Sequence, residues 1–458
     1  MGFLNGINYK NAIGIDTLCV KVLGVVFAIC SGLCIGDEGP LAHMGAILGV
    51  LCCYLPFEWC KLMQNDVRKR QMIAAGAACG LSCAFGAPIG GALFSYEISK
   101  PNTFWTFNML YQVFFATSIA VFTLSILSSL QIGAPMSMTD GGDLTFGQVG
   151  QYGQNTIFDL PAAIVLGIVS GLLGAFFIGV SVKIGAFRKK YVATPWRKVI
   201  ECVLFSWITV TCFYLAIVAR RDNCEPVQYD QNHAMEYTFT CKNATYNPLA
   251  TLVFNTESGT LTEFFRYPQI MQVEMIQGDQ YSGLIGDVTI YFFLWYFFFI
   301  TTYGIAVPAG VFVPGMLIGC SLGMIYLDLL MTGFNINMMR LGGQSYLVLG
   351  AAGMLASYTR LTYSLAVIIM ETTQSINLFI PVLITIMISY GVARVFNRSL
   401  YDMSIRSKTL PVLRNHMPIE NRNVRVRDLI KELFDPKKGQ ELETIPAVCK
   451  VSRLAQVL

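Results

Sequence analysis

Charge is scarce in this chain: Asp, Glu, Lys and Arg together make up 13% of its 458 residues, where a soluble domain carries roughly 25%. That shortage excludes a soluble enzyme. A net charge of +4 scattered over many loops also makes no basic patch for nucleic acid. Histidine is scarcer still. His43, His233 and His416 lie far apart, and no haem-ligand pair, HExxH motif or Ser/His/Asp set is visible, so a membrane-embedded enzyme is the weaker reading. The 14 cysteines mostly fall inside apolar runs (Cys30, Cys34, Cys52, Cys53, Cys79, Cys83, Cys320) without metal-site spacing. They read as small buried residues, and neither a metal centre nor a cofactor is expected.

What is abundant is apolar surface, at 54% hydrophobic residues and a mean hydropathy of +0.54. Apolar runs lie near 17–35, 41–56, 72–98, 105–130, 158–185, 199–219, 288–306, 311–331, 346–357, 361–371 and 376–396. Several fall short of the ~20 residues that span a bilayer, and Gly or Pro cuts many of them. Short, broken helices at membrane depth need protein around them or a wet cavity beside them. The expected class is an all-α polytopic membrane protein, a transporter or channel rather than a receptor.

Loop charge gives orientation. Arg68-Lys69-Arg70, Arg188-Lys189-Lys190 and Arg197-Lys198 flank apolar ends and are expected on the cytoplasmic side. The stretch 220–283 has four Lys/Arg against eight Asp/Glu, with Cys224, Cys241 and the sequon Asn243-Ala244-Thr245. It reads as a luminal or external loop, where a Cys224–Cys241 disulfide persists; Asn243 is a glycosylation site or a chance match. After Tyr401 the chain turns polar and basic, a cytosolic tail.

An internal repeat is visible. Gly36-Asp37-Glu38-Gly39-Pro40 and Gly310-Val311-Phe312-Val313-Pro314 are both G-x-x-x-P and both open apolar helices. Ala74-Ala75-Gly76 recurs as Ala351-Ala352-Gly353 at nearly the same offset, and each copy leads to a glutamate, Glu97 or Glu371. Paired, interrupted segments in two halves point to a site at the bilayer midplane. Proline suits a first helical position, so Pro40 and Pro314 mark helix N-termini. Such an end carries roughly +0.5 charge and open N–H donors, which makes an anion site without a full cation that would hold the ion too tightly to pass.

Glu38 stands beside one of these termini. Deprotonated, its carboxylate mimics the anion and takes its place; protonated, with a carboxyl pKa ordinarily about 4.3, it leaves. An ionisable group in the membrane is functional by default, so a gate is favoured over a plain helix cap.

These residues resemble the CLC family of chloride channels and chloride/proton exchangers, over essentially the whole chain. Phe85-Gly86-Ala87-Pro88-Ile89-Gly90-Gly91 and Ser399-Leu400-Tyr401-Asp402 fit as well, and Cys241…Tyr246-Asn247…Phe254-Asn255-Thr256 looks like the late-endosomal and lysosomal branch. The resemblance implies two antiparallel (inverted) repeats of short and broken helices. Residues 1–402 are the transmembrane domain, with halves near 1–190 and 197–402, and 403–458 form a cytosolic tail in which Val424–Leu458 resembles the start of a CBS domain. It further implies Glu38 as gate. The central chloride ligands are the Val311 and Phe312 amides and the Tyr401 hydroxyl, although Tyr401 also reads as an interfacial tyrosine. A homodimer with one pore per subunit, room for an accessory subunit, and an endosomal, lysosomal or other intracellular membrane follow, with the plasma membrane as the alternative.

Three departures stand out. The family's Gly-Ser-Gly-Ile-Pro, whose serine is another chloride ligand, precedes the Phe-Leu-Asn-Gly seen here at residues 3–6, so the first helices and that serine are expected to be missing. Asp37 replaces the usual Lys or Arg. Exchangers carry two successive glutamates where this chain has Glu97-Ile98, the second being the internal proton acceptor. Ile98 therefore favours a passive channel, the branch resemblance favours an exchanger, and the missing segment leaves a non-conducting subunit open.

Overall fold

The computed structural model describes residues 12–61, 63–99, 105–132, 160–226, 237–242, 245–277, 282–334 and 343–407. Asn243 and the CBS-like tail lie outside the described residues. The first half runs α1 (Ile15–Cys30), α2 (Glu38–Cys52), α3 (Glu58–Lys61), α4 (Asp66–Phe85), α5 (Pro88–Ile98), α6 (Phe107–Ile132) and α7 (Leu160–Tyr191). The second runs α8 (Pro195–Ala219), α9 (Pro248–Phe254), α10 (Glu257–Gln277), α11 (Ser282–Thr302), α12 (Phe312–Phe334), α13 (Gly343–Thr359), α14 (Tyr363–Thr373), α15 (Phe379–Phe396) and α16 (Leu400–Ser407). Six stretches among the described residues are long and apolar enough to cross a membrane, while α2 and α14 are apolar but short. Outward side chains such as Phe115, Leu127, Val203 and Trp207 stay exposed, as lipid contact requires.

The apolar run 72–98 is two helices rather than one. Gly86, at φ 64, ends α4 in the left-handed conformation that favours glycine, and Pro88 restarts the chain as α5. The stretch read as a loop from 220 to 283 is also corrected, because α9 and α10 occupy 248–277. Asn247 starts α9 by accepting the Ala250 amide at 2.9 Å, and Pro248 follows in the first turn. The loop proper is short and fastened three ways. Cys224 and Cys241 form a disulfide, Glu225–Pro226 pairs antiparallel with Thr245–Tyr246, and buried Asp287 accepts from Arg220 Nε at 2.6 Å and Asn223 Nδ2 at 2.5 Å.

The duplication is structural. In the first half α2 crosses α4 through Gly45 and Gly49 against Gly76 and Gly80; in the second α12 crosses α13 through Gly319 and Gly323 against Gly350 and its neighbours. A Cβ at these positions would strike the partner backbone. Lipid tails supply no hydrophobic drive for helix pairing, so such close small-residue contact is what holds these crossings.

The two halves also cap each other. Glu371, near the end of α14, accepts the Ile89 amide at 3.1 Å and the Gly90 amide at 2.7 Å. Glu97, near the end of α5, accepts the Thr362 amide at 2.9 Å and its hydroxyl at 2.8 Å, and the Ser364 amide at 3.3 Å and its hydroxyl. Each helix thus offers a carboxylate to the orphan N–H groups and positive dipole end of its repeat mate, which sets α5 and α14 antiparallel.

Glu371→Ala should remove one of these caps and cost about 1–2 kcal/mol. Thermal unfolding in detergent should show a lower midpoint for Glu371→Ala and a smaller loss for Glu371→Gln, which keeps an acceptor.

Candidate functional site

The site forms where the two G-x-x-x-P segments meet. Gly36 and Gly310 pair as a two-residue antiparallel bridge, Gly36 N to Gly310 O at 3.1 Å and Gly310 N to Gly36 O at 2.6 Å. Beyond this bridge the chain enters α2 at Glu38 on one side and α12 at Phe312 on the other. The two helix N-termini are therefore tied together at their first residues. Pro40 and Pro314 are each the third residue of their helices, not the first as the sequence suggested. Both remain in the first turn, where a missing N–H removes no intrahelical bond.

Glu38 is fully buried, and its Oε1 accepts the Val313 amide of α12 at 2.8 Å, with the Phe312 amide beside it. Among the described residues its Oε2 has no hydrogen-bond partner. The carboxylate of one repeat thus sits on the N-terminal donors of the other. Phe312 is held by the rings of Phe85 and Phe94, with centroids 5.6 and 5.7 Å away. Asp37 is half-buried at the α2 N-cap. Gly39 packs on the other segment: a Cβ there would meet Ala309 O and Gly310 Cα, both at 3.3 Å.

On the other side, Tyr401 is the second residue of α16 and lines a cavity of about 560 Å³. Glu97, Ile98, Arg360, Arg394, Arg398 and Asp402 share its wall. Ile98 is the last residue of α5 and faces this cavity, whereas the Glu97 carboxylate is taken up by Thr362 and Ser364. Arg360 follows α13 in the left-handed region at φ 63. It donates to the Tyr390 and Asn397 carbonyls at 3.3 and 3.2 Å. A further network steadies α16. Arg188 donates to Glu201, to the Tyr303 carbonyl at 2.7 Å and to the Thr301 carbonyl, while the Tyr303 hydroxyl pairs with Ser404 at 2.7 Å.

The Val313 amide, which receives Glu38, was not singled out by the sequence reading, whose Val311 and Phe312 amides were assigned to the central chloride. The same reading passed over Tyr358. That residue donates its hydroxyl to the Val311 carbonyl at 2.7 Å. No local pattern marks a tyrosine 47 residues from its acceptor.

Two repeated halves of apolar helices, meeting at a buried junction of helix N-termini where no cation stands among the described residues, define a polytopic membrane protein of duplicated architecture. The voltage-gated chloride channel family matches residues 1–394, and the chain belongs to that family. H(+)/Cl(-) exchange transporter 7 of Rattus norvegicus is 32% identical over 93% of this chain and 52% of its own length, and the Homo sapiens protein of that name gives the same figures. Chloride channel protein C of Dictyostelium discoideum is 30% identical over 100% of this chain and 59% of its own. The chain thus spans about half the length of the curated relatives it matches. Among solved structures, a slow cyanobacterial Cl-/H+ antiporter matches at TM-score 0.64 and 17% identity, covering 89% of this chain and 79% of the other. A eukaryotic CLC transporter matches at 0.58 and 24%, covering 98% and 72%. Both likenesses concern the fold.

The three atoms a methyl group on Gly36 would meet first all belong to Glu38, Oε2 at 2.5 Å, Oε1 at 2.8 Å and Cδ at 3.0 Å. Gly36→Ala should therefore destabilise by about 1–3 kcal/mol, and by much less when Glu38→Ala removes the obstacle. A double-mutant cycle on thermal unfolding checks this coupling.

Proposed function

We propose that this chain conducts chloride across an intracellular membrane through a CLC-type pore gated by Glu38, passively rather than in exchange for protons. The observation that carries the reading is the Glu38 carboxylate seated on the Val313 amide at the junction of two helix N-termini. A carboxylate held there by backbone donors occupies the kind of place a chloride ion would take. The Val311 and Phe312 amides and the Tyr401 hydroxyl supply the central ion's donors. Arg360, Arg394 and Arg398 around the cavity gather anions at its mouth.

Passive conduction rests on Ile98 and Glu97. Ile98 has no titratable group, and the Glu97 carboxylate is already committed to two amides and two hydroxyls. Between the cavity that Ile98 lines and the buried Glu38, a proton without a carrier meets a barrier of several kcal/mol. The exchanger reading is the second one, favoured by the names of the 32%-identical relatives. A non-conducting subunit is the third, favoured by Asp37, whose carboxylate repels an approaching anion. An endosomal or lysosomal membrane and a homodimer complete the proposal. The disulfide-bonded loop supports a luminal or external face for residues 221–247, and the exposed apolar Ile89, Tyr96, Tyr363 and Ile380 on α5, α14 and α15 support a second copy against that side.

Acid converts Glu38 from an ion that competes for the amides into a neutral group that does not, so flux through the unsubstituted protein should rise as pH falls. Glu38→Ala should conduct with no such pH dependence. Chloride flux from proteoliposomes over a pH series decides it, and an equally pH-sensitive Glu38→Ala would remove Glu38 from the role.

Coupling is tested separately. A chloride gradient should drive little or no uphill proton movement in the unsubstituted protein, and Ile98→Glu should raise it. Stoichiometric proton uptake by the unsubstituted protein would restore the exchanger reading.

A further inference from the structure

Tyr358 is fully buried in α13. Its ring packs against Phe177 at 5.2 Å and Phe299 at 5.9 Å between centroids. Packing accounts for the ring but not for the hydroxyl, which donates to the Val311 carbonyl at 2.7 Å. Space for that hydroxyl comes from Gly315 in the first turn of α12, where any Cβ would occupy the hydroxyl's position. Two residues from separate helices are thus matched to one contact.

The acceptor matters because of what shares its peptide plane. The Val311 carbonyl and the Phe312 amide belong to one planar trans group, so they point in opposite directions and turn together. A donor fixed on the carbonyl fixes the direction of the N–H. It also draws electron density from the nitrogen and strengthens that N–H as a donor, as hydrogen bonds in a chain polarise one another. The Phe312 amide is the first N–H of α12 and has no intrahelical partner.

We propose that Tyr358 is a positioning residue for the anion site, aiming the Phe312 amide by holding the Val311 carbonyl from behind. The proposal rests on the reading that the Val311 and Phe312 amides line the chloride path. Tyr358 does not donate to the ion; its hydroxyl is committed to the carbonyl. Its effect falls on how tightly and how selectively the site holds an anion, because a peptide free to tilt accommodates a larger ion at less cost.

The test uses the full chain in proteoliposomes and in detergent. Tyr358→Phe keeps the ring and removes only the hydroxyl. Apparent chloride affinity, read from flux against chloride concentration and from chloride-dependent thermal stabilisation with gluconate as the inert anion, should weaken roughly threefold to tenfold. Discrimination between chloride and the larger thiocyanate should narrow. Gly315→Ala, whose methyl displaces the hydroxyl, should give the same shift, and the two together should not add. Phe177→Leu, which loosens the ring and leaves the hydroxyl in place, should lower stability while leaving affinity and selectivity near the parent's. A chloride-sensitive parent matched by Tyr358→Phe in affinity and selectivity would overturn this inference alone. A parent insensitive to chloride in both assays would overturn the underlying reading and this inference with it.

Discussion

The site depends on a single backbone constraint, the bridge between Gly36 and Gly310. Two hydrogen bonds, at 3.1 and 2.6 Å, join the residues that precede the two inward helices. The bridge holds the N-termini of α2 and α12 together against their mutual repulsion, since each carries partial positive charge. A negative group placed between them offsets the repulsion, and Glu38 is that group in this conformation. The bridge also explains why glycine stands at both ends. A Cβ on Gly310 would meet the Gly36 carbonyl at 2.8 Å, and one on Gly36 would meet the carboxylate. The electrostatic problem and its solution are therefore written in the same five-residue segment.

The repeats repeat this arrangement elsewhere with a different residue. At the α5–α14 pair, the carboxylates stand near the helix ends and reach across to the partner's first turn, Glu371 to Ile89 and Gly90, Glu97 to Thr362 and Ser364. Here both carboxylates find several donors, and the arrangement is structural. At the α2–α12 pair one carboxylate, that of Glu38, reaches across to the partner helix, and one of its oxygens lacks a partner among the described residues. A fully satisfied charge has no reason to move. A half-satisfied one sits in a shallower well, which fits the gate proposed for Glu38.

Much of this was legible in the sequence, because the duplication repeats short motifs and glycine, proline and glutamate have sharp positional meanings. The two G-x-x-x-P segments, Ala74-Ala75-Gly76 with Ala351-Ala352-Gly353, and the pairing of Glu97 with Glu371 all survive as corresponding features of the two halves. The register did not survive intact. Helix starts were set at the prolines, but the helices begin two residues earlier, since proline is tolerated throughout the first turn and not only at its first position. With the helix starting at Phe312, the Val313 amide lies in the first turn and is free to receive Glu38. Tyr358 was hidden for another reason. A tyrosine in an apolar helix looks like core or interface, and only the tertiary contact to Val311 separates those readings. The acidic stretch 220–283 was read as loop from its charge, while Asn247-Pro248, a local helix-start signal, was the better guide.

The placement of full charges completes the logic of an anion path under the proposed function. A guanidinium at the bridge would bind an anion strongly in a low-dielectric setting and slow its departure. The chain instead keeps Arg360, Arg394 and Arg398 on the wall of the cavity that Tyr401 lines, where water weakens each interaction and the three together still raise local anion concentration. Arg360 is itself restrained by the Tyr390 and Asn397 carbonyls, so its charge is fixed in place without closing over the mouth. Helix α16 borders the same cavity, and the Arg188–Tyr303–Ser404 chain of contacts anchors it to α7 and to the end of α11. Because Tyr401 lies one turn before Ser404 on that helix, any displacement of α16 moves the Tyr401 hydroxyl relative to the arginines. Under that reading strong charge gathers ions at the mouth, weak dipoles pass them at the centre, and the short helix between the two is held by the Arg188 network.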